Sequence, residues 1–493
     1  MKNRLLTLMT AFVVLSCNPL DIEQDNRISF DNAWNSSQDI MAGTRGIYQR
    51  LRSNFVGSYT NVLYWGELRV GSYMWGPSLE SRVLSSAAKE TINSTMTGNS
   101  SPTAWSSLYS AIDQANAVIK YAEKVGMTVQ DKNFVLGQAH FARAYCYFWA
   151  ARLWGDVPMN LVPVETSTQP ECYPERQPAA DVYAQIGRDI DEATKYVADM
   201  GTDKYFGTAD ALYMLTAEYG LWMYSVQKGG EEYLDLAAEA LATMGIASSR
   251  LQSNYTSVFS RTNKLNNEVV FALMNDQEQK LTGGFYTEFY HPSNLIAKDK
   301  RQKPVPISAT QWLCYSEEFI SVLQRSERIN GDRRVACNLG YGAYAEDGDP
   351  NHIITWPNKY LGDMSKSTTV ADCDLLYYRY ALAVMMDAEL KYYKEDYAGA
   401  LKSLNLIAKR AYNKNNFYTA ADKESVCQAL VDEYFLEFPA EGVIWWALLR
   451  LDRIWDYNQS LAQKKTHPNI LLWPISNSAK NKNNKLSQTE GWS

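Results

Sequence analysis

Histidine is the scarcest chemistry-bearing residue, with only 4 in 493 positions. His140, His291, His352 and His467 lie far apart and show no metal-ligand spacing, so an H-E-x-x-H site is excluded. There is no G-x-S-x-G elbow and no G-x-x-x-x-G-K-[ST] loop. Gly340-Tyr341-Gly342 lacks the later glycine of a dinucleotide loop and any preceding strand pattern. The 7 cysteines include no C-x-x-C pair, which removes zinc-ribbon and thioredoxin-type spacing. Cys146 and Cys427 sit in apolar helical runs, where a buried free thiol is expected. Cations do not predominate: 48 Lys and Arg stand against 55 Asp and Glu, for a net charge of −7. That balance argues against a protein that grips phosphate backbones, and nucleic acid is not expected as a partner. Outside the first segment nothing approaches the ~20 apolar residues of a membrane-spanning helix. Two of the 55 carboxylates would suffice for a glycosidase pair, but no pattern singles them out. Catalysis is not expected.

What the chain has in quantity is aromatic side chains: 33 Tyr, 15 Phe and 14 Trp, or 13%. With 46% hydrophobic and 21% charged residues the composition is globular. That many rings exceed what a core tends to use, so some are expected at the surface, facing ligands. The first segment reads as a processing signal. Lys2 and Arg4 precede an uncharged apolar run, Leu5 to Leu15, too short to span a bilayer. It ends in Val14-Leu15-Ser16-Cys17, similar to a bacterial lipoprotein cleavage box, with Val where Leu is usual. Residues 1–16 are therefore expected to be removed and Cys17 acylated, with enough acyl chains for stable anchoring. Residues 17–29 carry no secondary-structure pattern and read as a tether.

Helical periodicity dominates the remainder, 30–493. Trp105, Leu108, Tyr109, Ile112, Ala115, Ile119 and Ala122 form an amphipathic stripe. Further helices are predicted at about 131–153, from 181, at about 208–227 and 231–244, then at about 375–394, 397–412 and 422–438. Gly155-Asp156-Val157-Pro158 supplies a stop for the second of these. Between about 250 and 360 the helical period fades, and one strand, Glu268 to Leu273, stands out. The predicted fold class is mostly α: a superhelix of tetratricopeptide-like helix pairs, about 104–245 and 375–412, with minor β. The irregular segment at about 250–360 is expected to carry specificity.

Several blocks together resemble one family, the SusD/RagB outer-membrane nutrient-binding lipoproteins. Ala42-Gly43-x-x-Gly46-Ile47-Tyr48-x-x-Leu51 is similar to its opening helix. Trp105-x-x-Leu108-Tyr109-x-x-Ile112-x-x-Ala115-Asn116 resembles the next signature. The most specific block is Gln138-Ala139-x-Phe141-x-Arg143-Ala144-Tyr145, ending at Trp154-Gly155-Asp156-Val157-Pro158. Tyr378-Arg379-Tyr380, Arg410-Ala411, Glu433, Glu437-Phe438, Glu441-Gly442 and Leu472-Trp473-Pro474 follow in the family's order. Ile444 departs from the usual arginine there. The resemblance implies four helix pairs, a lipid anchor on the outer membrane, and a SusC-like TonB-dependent transporter as partner. It also implies a glycan as the usual ligand and a peptide in some members. The matched blocks are packing and capping residues, and they do not name the sugar.

A sugar offers apolar C–H faces to aromatic planes and a rim of hydroxyls to Asn, Asp, Arg and Gln. In the family, ligand contacts come from loops after the opening helix and from the irregular middle. Here those stretches hold Tyr64-Trp65, Arg69, Tyr73 and Trp75, then Tyr286, Tyr290, Trp312, Tyr315, Tyr341 and Trp356. For any one ring burial is the simpler account; for the set, exposure is expected. The candidate ligand residues are Arg69, Tyr73, Trp75, Tyr286, Tyr290 and Trp312. No cofactor is expected. Asp347-Gly348-Asp349-Pro350-Asn351 resembles the start of a calcium loop, but His352 and Asn358 replace its sixth-position Gly and twelfth-position Glu. Glycan capture leads over peptide capture because peptides offer fewer stacking faces. A glycoside hydrolase would differ by releasing new reducing ends, and a structural adaptor would have no use for exposed rings.

Overall fold

The structure, a computed structural model, describes residues 33–56, 61–75, 86–279, 281, 313–343, 353–360, 362 and 372–492. The chain runs through α1 (Ser37–Val56), α2 (Asn61–Gly66), β1 (Tyr73–Trp75), α3 (Ser86–Ile92), α4 (Ser106–Ala122) and α5 (Val129–Trp154). It continues with β2 (Val157–Pro158), β3 (Arg176–Gln177), α6 (Ala179–Lys195), α7 (Ala209–Ser225), α8 (Glu232–Met244), α9 (Tyr255–Val258) and β4 (Val269–Leu273). Next come β5 (Leu313–Tyr315), α10 (Glu317–Asn330), α11 (Val335–Asn338), β6 (Leu339–Ala343) and β7 (Ile353–Pro357). β8 (Leu375–Arg379), α12 (Tyr380–Tyr393), α13 (Tyr397–Tyr412), α14 (Lys423–Glu437) and α15 (Ile444–Arg450) follow.

Local chemistry sets the helix ends. Side-chain oxygens of Thr128, Thr208, Asp396 and Asp422 accept the third backbone N–H of α5, α7, α13 and α14, satisfying donors a helix cannot pair internally. α5 stops at Gly155, whose φ of +70° suits glycine. Every residue of α5 from Val135 to Trp154 is buried, so this helix is the axis on which others pack. Among the described residues, α1 pairs with α4, α5 with α6, α7 with α8, and α12 with α13. The expected helix-pair superhelix is the observed architecture.

Two expectations are corrected. The helix predicted from about 375 begins at Tyr380; the five residues before it form β8, antiparallel to β4. All five residues of each strand are buried, and a continuous apolar run has no period that separates strand from buried helix. The middle is not irregular throughout, because it contains the 14-residue α10. Only Phe319, Leu323 and Ser326 of α10 are buried. Ser316 caps its start and Gly331 its end.

The acidic run near the end of the chain is internal. Arg379 donates to Glu268 (2.9 Å), Glu437 (2.7 Å) and Glu441 (2.6 Å). Arg410 pairs with Glu268 at 2.7 Å and with Glu437. Arg334 joins Asp332 (2.9 Å) to Glu433 (2.6 Å), and Lys359 meets Glu441 at 2.6 Å. The neighbouring arginines hold the Glu437 carboxyl down at about 2, despite burial that pushes the other way. His140 is likewise a core residue, its Nδ1 2.8 Å from Asp189, which Arg143 also grips. The six described cysteines are free, and Cys146 and Cys427 are buried.

Candidate functional site

Arg69 and Tyr73 do not face a ligand. The Arg69 guanidinium donates to the carbonyls of Ile470 and Leu471 and to Ser94 Oγ, and lies 4.5 Å above the Trp445 ring. Burial brings its pKa down to about 9, consistent with a cation paired to neutral carbonyls only. The Tyr73 hydroxyl donates to Glu67 Oε1 at 2.9 Å. Tyr64, Trp65, Tyr315 and Trp356 are core residues too, each at most 1% exposed. Glycine-containing, irregular sequence had suggested an exposed loop here. Tyr64 and Trp65 are instead the buried face of α2, and Tyr73 is the buried start of β1. Exposure was expected of these rings as a set, and the structure corrects this: of Tyr64, Trp65, Tyr73, Tyr315, Tyr341 and Trp356 only Tyr341 is at the surface, at 52% exposure. Tyr286, Tyr290 and Trp312 lie outside the described residues, as does 344–352 with the partial calcium pattern.

Trp75 is placed by its backbone. β1 and β5 pair antiparallel in the register Tyr73↔Tyr315, Met74↔Cys314, Trp75↔Leu313. The chain therefore leaves Trp75 toward residue 76 at the same end of the ladder where it arrives at Leu313 from residue 312. Trp75 and the segment that carries Tyr286, Tyr290 and Trp312, more than 230 positions apart in sequence, therefore meet at one end of the ladder.

The other end of this ladder is anchored in the core. Ser316 donates its N–H to the Ser72 carbonyl (2.8 Å) and its hydroxyl to the Gly71 carbonyl (2.9 Å). Glu67 accepts Tyr73 and also the backbone N–H groups of Ala440 (2.7 Å), Glu441 (3.0 Å) and Gly442 (2.7 Å). Burial pushes the Glu67 carboxyl up to about 7, against the pull of those donors. A rigid base suits recognition, because little order has to be created there on binding.

Among the described residues no three His, Cys, Asp or Glu side chains are grouped to hold a metal. The structure also shows a concavity that sequence reasoning missed, between α10, α14 and the α13–α14 connection. Its rings come from segments about 100 positions apart, and no periodic pattern links them. The sole cue was Asn416-Phe417-Tyr418, two rings in a polar connection.

Helix pairs that hold a short two-stranded ladder against the core are the scaffold of this protein. The chain belongs to the SusD/RagB family. Residues 20–219 match the family model described as "Starch-binding associating with outer membrane", and residues 255–492 match that of the SusD family. A SusD-like protein (P38) of Formosa agariphila is 25% identical over 483 residues, covering 91% of this chain and 90% of its own. A SusD superfamily structure from Bacteroides fragilis superposes with a TM-score of 0.77 at 23% identity, over 93% of this chain and 100% of that one. Surface glycan-binding protein A from Bacteroides uniformis superposes with a TM-score of 0.72 at 18% identity, over 92% and 99%.

Proposed function

We propose that this chain captures oligo- or polysaccharide at the cell surface and passes it, uncleaved, to a SusC-like TonB-dependent transporter. The lipid on Cys17 and the 17–29 tether hold the helical body at the outer membrane in this reading. The observation that carries it is the β1–β5 register, which roots Trp75 beside the segment containing Tyr286, Tyr290 and Trp312. Several rings near one base suit a sugar chain, because each can cover one apolar face and the contributions multiply along the chain. Family membership and the glycan-binding role of a structural relative support a glycan and an outer-membrane setting.

A glycan array probed with the full chain tests this reading. Retention of one glycan class without new reducing ends is expected. No retained glycan, or cleavage of the retained one, overturns it.

A further inference from the structure

A cavity of about 480 Å³ lies at the other end of β1 from Trp75, where Val70, Gly71 and Ser72 form part of its wall. This volume is in the lower part of the ~300–1,000 Å³ span of small-molecule sites. Its rings are already fixed. Phe417 stacks on Tyr412 with centroids 4.1 Å apart, while Phe435 sits 6.0 Å from Phe319 and 4.9 Å from Tyr457. The hydroxyls of Tyr412 and Tyr418 both donate to the buried Glu433 Oε1, at 2.8 and 2.7 Å, so the α13–α14 connection cannot drift without breaking them. Phe417, Tyr418 and Tyr457 are only half-buried.

Polar groups of the right kind line the same space. Gln428 Nε2 donates to Asp432 Oδ1 at 2.8 Å and reaches the Tyr457 hydroxyl at 3.5 Å, while its Oε1 accepts from Arg453 at 3.1 Å, so the amide orients Asp432 and Tyr457. Asp432 and Arg325 are exposed and line the cavity. Among the described residues Asp432 accepts only at Oδ1, from Gln428, which leaves Oδ2 and the nearby Arg325 guanidinium turned to the cavity space. A carboxylate and a guanidinium beside half-exposed rings form the set that meets a pyranose: planes for its C–H face, and paired donors and acceptors for vicinal hydroxyls.

We propose that this cavity is a second saccharide site, taking a terminal unit of roughly one or two sugar rings between Phe417 and Tyr457, with Asp432 and Arg325 on its hydroxyls and Gln428 holding Asp432 in place. The proposal rests on the glycan reading above but uses none of the residues of the first site. Two sites joined through one strand allow one polymer to be held at two points, which raises avidity without tightening either contact.

The test is saturation-transfer-difference NMR on the full chain with the methyl glycosides of glucose, galactose, mannose and N-acetylglucosamine, and with N-acetyltyrosinamide as an aromatic-peptide probe. Transfer to at least one glycoside is expected. It should survive Trp75→Ala and weaken about tenfold in Phe417→Ala and in Asp432→Asn, with the melting temperature of Asp432→Asn unchanged. Unaltered transfer in Asp432→Asn, or transfer to N-acetyltyrosinamide alone, overturns the second site. If array glycans still bind through Trp75, only this proposal fails; if no glycan binds anywhere, the proposed function fails with it.

Discussion

A Cβ placed on Gly66 would lie 2.0 Å from the carbonyl oxygen of Gly442, across 376 positions of sequence. This backbone contact lets Glu67 reach the three N–H groups of the 440–442 turn, and so fixes the base of β1. Gly66→Ala must push one backbone away from the other. A destabilisation at or above the ~1–3 kcal/mol of an overpacked core is expected, read as a fall in melting temperature. An unchanged melting temperature would show that the contact yields easily.

Stability should depend on pH through Glu67. Its folded pKa, about 7 against 4.5, means the folded state holds a proton that the unfolded chain releases between those values. The unfolded state then binds fewer protons, so stability falls as pH rises from 4.5 toward 7, by about 3 kcal/mol in all. Glu437 has the opposite sign: its carboxyl is held down at about 2, so its contribution is present above pH 4.5 and is lost as pH falls toward 2. Melting curves of the protein and of Glu67→Gln from pH 5 to 8 check the first window. The variant is expected to be flatter with pH, because an amide does not titrate. An identical slope in both proteins would refute the assignment.

Arg379 has no tolerated truncation. Arg379→Ala leaves Glu268, Glu437 and Glu441 without one of their shared cations, and ~3–5 kcal/mol is the usual cost of halving a buried pair. Arg379→Lys keeps the charge but not the planar fork, and should recover only part of the loss. Urea midpoints of the two variants measure this. Equal midpoints for Ala and Lys would mean that the charge does not matter there.

Arg69 and Trp75, both candidate ligand residues in the sequence, should separate by experiment. Arg69→Ala strands the Ile470 and Leu471 carbonyls and removes the cap on Trp445, so it should lower the melting temperature with glycan affinity unchanged where the protein remains folded. Trp75→Ala should do the reverse, with affinity about tenfold weaker, equivalent to 1.4 kcal/mol. Calorimetry with a glycan retained on the array, alongside thermal melts, distinguishes them. Affinity loss in Arg69→Ala without loss of stability would return Arg69 to the binding surface.

Sequence alone determined the parts of this protein whose signals are local. The stripe from Trp105 to Ala122, the Gly155 stop, and the helices at 397–412 and 422–438 were legible because periodicity and capping act within a few residues. The ordered family blocks named the scaffold because packing residues recur where helix pairs meet. Which aromatic was core and which was free was not local. Tyr64, Trp65 and Tyr73 sit in sequence that reads as a loop, and only the partners supplied by Pro102, Glu67 and the 440–442 turn made them interior. The β4–β8 pairing, the meeting of Trp75 with Leu313, and the cavity between α10 and α14 joined segments about 100 to 240 positions apart. Tertiary structure alone decided these, because burial and hydrogen-bond satisfaction belong to the folded neighbourhood and not to any window of the chain.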